Sequence, residues 1–184
     1  MRAIQSVVVV AVLVAAAGSG PAAAQGVTVL VGGGAAVPVG YLNSSTNTGF
    51  HGMAAVSVAP ATVPVRIRIE GMYSSLGFIR GVDGHFRVLQ GSANAVYGLP
   101  AAAGATIRPY LIGGLGVYNY KSITDVSFIP DEAHTDLGIN GGAGVDVLVG
   151  ALGVFAEVRY HNVFLPGKNL KLLPITVGVQ FGGR

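Results

Sequence analysis

Cysteine and tryptophan are absent from the 184 residues, and charge is scarce, with Asp, Glu, Lys and Arg making up 10% of the chain. Without cysteine there is no disulfide framework, no thiol nucleophile and no cysteine-based metal centre. A soluble globular domain carries about 25% charged residues, so the usual water-facing coat is missing. The net charge of +3 is small and Lys and Arg form no dense run, which argues against a nucleic-acid partner. A clean membrane helix is also missing beyond the N-terminus. The most apolar candidate, Leu137 to Ala156, is broken by Asn140, Asp146 and six glycines, and each glycine costs about 1 kcal/mol in a helix interior. What the chain does have is hydrophobicity: 51% apolar residues, 29 glycines and a mean hydropathy of +0.61. That excludes disorder, and glycines without a three-residue period exclude a collagen-like chain. A membrane setting reconciles high hydropathy with so little charge.

The first residues have the pattern of an export signal. Arg2 supplies the positive start, Val7 to Ala17 is an unbroken apolar run, and Gly18, Ser19, Gly20 and Pro21 break any helix. Ala22-Ala23-Ala24 fits the small-x-small rule of signal peptidase, so cleavage is expected after Ala24. The run is short for a membrane span, which needs about 20 apolar residues. With no cysteine after it, a lipoprotein is not expected. The expected organisation is a cleavable signal peptide over 1–24 and one domain over 25–184.

The remaining sequence alternates. In Val65-Arg66-Ile67-Arg68-Ile69-Glu70 apolar and charged residues exchange at every position, which puts the two kinds on opposite faces of a strand. Val154, Ala156, Val158 and Tyr160 likewise share a face, with Glu157, Arg159 and His161 opposite. The odd positions from Leu173 to Phe181 are all apolar. Leu137, Ile139, Ala143, Val145, Val147 and Val149 oppose Asn140 and Asp146, and Gln90, Ser92 and Asn94 oppose Leu89, Ala93, Ala95 and Tyr97. The pattern predicts strands over 26–38, 49–60, 63–76, 86–98, 106–121, 136–149, 152–163 and 171–181. Such lengths exceed the usual strand of about 5–6 residues and suit a tilted bilayer crossing of about 9–11. Connections at Pro60 to Thr62, Leu99 to Ala105 and Gly150-Ala151 are short. Those at Val39 to Thr48, Gly77 to His85, Ser122 to Thr135 and Phe164 to Leu170 are longer. Short turns on one rim and long loops on the other belong to transmembrane barrels. With both ends periplasmic, the long loops are extracellular. Backbone polar groups in lipid must be satisfied internally, so strands imply closure. The expected fold is all-β, an eight-stranded antiparallel up-and-down transmembrane barrel.

The ending Ala22-Ala23-Ala24-Gln25, the stretches Ala93 to Pro100, Arg108 to Gly116 and Glu157 to His161, and the closing Leu173 to Phe181 together resemble the small eight-stranded outer-membrane barrels of the OmpX and OmpA-barrel type. The resemblance spans the expected mature chain. It implies an outer-membrane location and insertion by the barrel-assembly machinery, which reads a final strand ending in an aromatic residue such as Phe181. With tryptophan absent, the interfacial aromatic girdle falls to Phe50, Tyr73, Tyr97, Tyr118, Tyr120, Tyr160 and Phe181.

An eight-stranded barrel is just wide enough for side chains to fill it. Arg66, Arg68, Glu70, Asn94, Asp146, Glu157 and Arg159 are expected to meet inside, as a paired plug or as the lining of a narrow path. Buried charges are costly unless paired, which favours the plug. His161 raises an enzymatic possibility, since lipid A deacylases of this barrel type carry a His–Ser pair near such a position. Val163 stands where that serine would be, and a nucleophile must lie within reach of its base; the expectation is an ordinary histidine at the loop-side rim and no enzyme. His51, His85, His134 and His161 show no metal-ligand spacing, the glycine stretches precede no helix, and no cofactor is expected. The functional expectation is a structural, adhesive or envelope-integrity role without a large pore. A narrow channel, a lipid A-modifying enzyme and a soluble lipocalin-like barrel are the alternatives. Expected partners are outer-membrane lipid and lipopolysaccharide, the assembly machinery, and an extracellular loop partner of unknown identity.

Overall fold

The computed structural model describes residues 26–60, 64–79, 83–102, 104–124, 133–149 and 152–182. The expected signal segment lies outside them, as do the tip of the expected 122–135 loop and the turn at 150–151. Eight strands follow one another: β1 Val27–Val39, β2 Gly49–Val58, β3 Val65–Gly77, β4 Gly84–Gly98, β5 Ile107–Thr124, β6 Ala133–Val149, β7 Leu152–Val163 and β8 Leu170–Gly182. Each pairs antiparallel with its sequence neighbours, and β8 returns to β1 to close the barrel. The expected spans differ chiefly at β5 and β6. These extend together into residues expected as loop, with Lys121 opposite Ala133 and Asn119 opposite Thr135. Tyr120 on β5 donates to Asp136 on β6 at 2.7 Å and helps to hold this extension.

Register fixes the tilt. Followed from Leu30 through Ala55, Glu70, Ser92, Gly116, Gly138, Val163 and Leu170, the ladder returns to β1 just beyond Val39, ten residues above its start. Such a stagger requires strands inclined at about 35–45° to the barrel axis. At two places a glycine makes room for a large inward ring. A Cβ on Gly144 would overlap the Tyr110 ring, and one on Gly178 would overlap Phe155.

The two faces are inverted relative to a soluble protein. Ile69, Leu115, Leu137 and Val177 lie on the outside, exposed by 52–68%, whereas Arg68, Glu70, Glu157 and Arg159 are inside and exposed by 0–3%. A lipocalin-like barrel would have an apolar interior and a charged exterior, so that alternative is overturned. The interior is not polar throughout. Ala36, Leu76, Val88, Val163, Leu170 and Leu172 form an apolar cluster at the long-loop end. Leu42 joins it from a short 3-10 turn at Gly40–Ser44. That loop is tied to its neighbour by a bridge between Thr46 and Phe78 and by hydrogen bonds from Asn47 N to Gly77 O and from Ile79 N to Ser45 O.

Candidate functional site

β3 and β7 stand four strands apart in a ring of eight, so they face each other across the lumen and run in the same direction. Alternation turns Arg68 and Glu70 inward from β3, and Glu157 and Arg159 inward from β7. The motifs Arg-x-Glu and Glu-x-Arg are complementary at equal spacing. Arg68 Nη1 donates to Glu157 Oε2 at 2.8 Å, and Arg159 Nη2 donates to Glu70 Oε1 at 2.5 Å. Arg159 Nε lies 2.7 Å from Glu157 Oε1, an ion pair whose angle falls outside hydrogen-bond geometry. Tyr110 on β5 donates to Glu157 Oε2 at 2.8 Å, and its ring lies 5.6 Å from the Arg68 guanidinium. Four charges of alternating sign thus run across the barrel as a chain, Arg68, Glu157, Arg159 and Glu70. Burial of ions is tolerable under these conditions, since each has an opposite charge at contact.

Polar groups continue on both sides of this chain of ions. Arg66 pairs with Asp146 at 3.1 Å, partly open to solvent at the short-turn end. Asn140 donates to Asn94 Oδ1 at 2.8 Å, and Asn94 donates to Ser92 at 3.0 Å. Towards the long loops, Tyr118 Oη and His161 Nδ1 lie 3.0 Å apart, and His51 Nε2 and Thr176 Oγ1 lie 2.9 Å apart. Above these sits the apolar cluster with Leu42. The structure therefore places Arg66, Arg68, Glu70, Asn94, Asp146, Glu157 and Arg159 all inside. It sorts them into the central ion chain, the Asn94 link to Asn140, and a pair at the short-turn mouth.

Three sequence-based placements need correction. Tyr118 is 1% exposed and points inward, so it cannot belong to a lipid-facing girdle. Tyr120 has the same parity; its ring packs on Phe86 and His134 and against the apolar cluster. Apolar residues alone do not reveal the outer face of β5, because Leu111, Leu115 and Val117 face out while Tyr110, Ile112, Tyr118 and Tyr120 face in. His161, expected at the rim, is fully buried, with Tyr118 and not a serine as its partner. Phe50, Tyr73, Tyr97, Tyr160 and Phe181 do lie on the outer face. Tyr110, His51 and Thr176 were not anticipated. Even spacing from Tyr118, read as lipid-facing, would have put Tyr110 outside as well, whereas on β2 the inward set of His51, Met53, Ala55 and Ser57 mixes polar with apolar and carries no signal.

No protein-family model matches the chain, and no curated protein matches it in sequence. Solved structures do match in three dimensions. Neisserial surface protein A superposes with a TM-score of 0.65 at 15% identity, over 85% of this chain and 97% of that one. A major outer membrane protein from Thermus thermophilus gives 0.63 at 12% identity, over 85% and 98%. The N-terminal β-barrel domain of Pseudomonas aeruginosa OprF gives 0.53 at 16% identity, again over 85% and 98%. The fold of this chain is that of small outer-membrane β-barrels.

Proposed function

We propose that the chain is an integral outer-membrane barrel with a structural, adhesive or envelope-integrity role and no large pore. One observation carries this reading: the apolar side chains cover the outside of a closed barrel while the ions are sealed within it. Such a surface is unfavourable in water and favourable in a bilayer. The fold neighbours, described as surface or outer-membrane proteins, support the same location. Outer-membrane lipid and lipopolysaccharide would then surround the barrel, and the assembly machinery would insert it. The long loops would present its contact surface to an extracellular partner.

Membrane fractionation combined with gel mobility tests the reading. The protein is expected in the outer-membrane fraction, resistant to carbonate wash, and to migrate differently before and after boiling. Recovery in a detergent-free soluble fraction would overturn the proposal.

A narrow channel is the second reading, favoured by the line of polar groups from Arg66 to His51. Against it stand the buried chain of paired ions and the apolar cluster at the outer mouth. Planar-bilayer recordings of the purified barrel are expected to show no stable porin-sized steps. An enzymatic role has little support: His161 is sealed inside, out of contact with lipid, and paired to Tyr118. Lipid A deacylation by membranes carrying the protein, lost in His161→Ala, would reverse that view.

A further inference from the structure

The outward row of β8 reads Phe181, Val179, Val177, Ile175 and Leu173, then Lys171. That of β7 reads Leu152, Val154, Ala156, Val158 and Tyr160, then Asn162. Both strands thus leave the apolar belt at the same level, since Asn162 and Lys171 are paired across the β7–β8 ladder. At that level the outer wall holds a groove of about 500 Å³ lined by Tyr160, Asn162, Asn169 and Lys171, with Ile139 on its lipid side. A second hollow shares Asn169 and Lys171 and adds Tyr41 and Lys168. The β7–β8 ladder is thinner beside this groove. The register passes from Val158–Ile175 to His161–Leu172 and skips Arg159 and Tyr160, where Pro174 has no N–H to give.

The charge at this groove is one-sided. Neither the first 69 residues nor the last 27 contain Asp or Glu. β8, β1, β2 and the turn between β1 and β2 therefore have no carboxylate, and the one on β7, Glu157, is held inside. On β6, which contributes Ile139, Asp136 is bonded to Tyr120 and Asp146 to Arg66. Lys168 is positioned over the face of Tyr41, its Nζ 4.1 Å from the ring centre, a contact that fixes a cation without neutralising it. Asn162 Oδ1 is buried with no hydrogen-bond partner. The site thus offers two ammonium groups and amide side chains, immediately above a lipid-facing apolar surface.

We infer that this groove binds the phosphorylated sugar headgroup of an outer-leaflet glycolipid of the lipid A type. Lys168 and Lys171 hold a phosphate, Asn162 and Asn169 meet hydroxyl or amide groups of the sugar, and the acyl chains descend along Ile139, Tyr160 and Ile175. The inference rests on the outer-membrane reading above. A free phosphate would satisfy the lysines but would leave the apolar flank without a role.

The test uses the full chain folded in detergent micelles, with diphosphoryl lipid A and its dephosphorylated form as probes and native mass spectrometry as readout. The wild type is expected to bind the diphosphoryl lipid about tenfold or more tightly than the dephosphorylated one, and the double variant Lys168→Gln/Lys171→Gln to lose that preference. Lys121→Gln, which removes one charge from the long-loop end of β5, outside both hollows, is expected to stay within about twofold of wild type. Inorganic phosphate is not expected to displace the lipid. Equal binding of both lipids, an unaffected double variant, an equal loss in Lys121→Gln, or displacement by inorganic phosphate would each overturn the site while the barrel reading stands, provided the variants still shift in mobility on boiling. A chain that remains dissolved without detergent would overturn the membrane reading, and the site with it.

Discussion

Glu157 lies between two arginines, Arg68 at 2.8 Å and Arg159 at 2.7 Å, and also accepts from Tyr110. Removing its charge leaves the buried Arg68 with no carboxylate at contact and Arg159 with Glu70 alone. Loss of one partner from a buried ion pair costs about 3–5 kcal/mol, whereas exchanging both partners for well-packed apolar residues is far milder. Glu157→Gln is therefore expected to lower the urea midpoint of the barrel in micelles strongly, and Arg68→Met/Glu157→Leu to recover much of it. An unchanged midpoint for Glu157→Gln would show that these ion pairs contribute nothing to stability. The inward side of these residues was legible in the sequence, because Arg68-Ile69-Glu70 and Glu157-Val158-Arg159 separate charge from bulk at every step. Their pairing was not, since it depends on which strands face each other across the lumen. Tyr118 and Tyr120 were misread because an aromatic ring with a polar tip suits both a lipid interface and a hydrogen-bonded interior.

β5 and β6 show how an element accommodates a narrow interior. Tyr110 can reach Glu157 only because Gly144, opposite it in register, has no side chain. Gly144→Ala would drive the Tyr110 ring off its acceptor, and overpacking of this kind costs about 1–3 kcal/mol. Measured by the temperature at which gel mobility changes, Gly144→Ala and Tyr110→Ala are expected to be strongly non-additive, with the second substitution costing little once the first is made. Simple additivity would mean that the glycine serves the backbone alone. The strands themselves were legible from alternation, most clearly in β3, β7 and β8. The extension of β5 and β6 into the loop was not, since it depends on contacts between the two strands such as that of Tyr120 with Asp136. The apolar cluster around Leu42 was also hidden, because inward leucines such as Leu76 and Leu172 interrupt no pattern a single strand displays.

At the scale of the molecule, solvent identity decides what the outer surface can tolerate. Val177 is 58% exposed in the middle of the outward row of β8. In water an exposed Val→Arg substitution changes stability by less than about 0.5 kcal/mol, whereas at a bilayer midplane it costs about 2–4 kcal/mol. Val177→Arg, unfolded from lipid vesicles, is expected to show the larger loss, and the smaller one would indicate that the belt does not meet lipid. The closure of β8 onto β1 has a further consequence. Thr28 is opposite Gly182 and Val39 is opposite Lys171, so the two ends of the described chain lie side by side on the same rim. A hoop has no obligatory beginning. Joining residues 28 and 182 through a short linker and cutting at the turn around Gly104 would shift every strand's place in the order of synthesis while leaving all eight neighbours intact. Such a circular permutant, refolded from urea into micelles, is expected to regain the compact, boil-sensitive form; failure to do so would mean that the native starting strand is required to guide assembly.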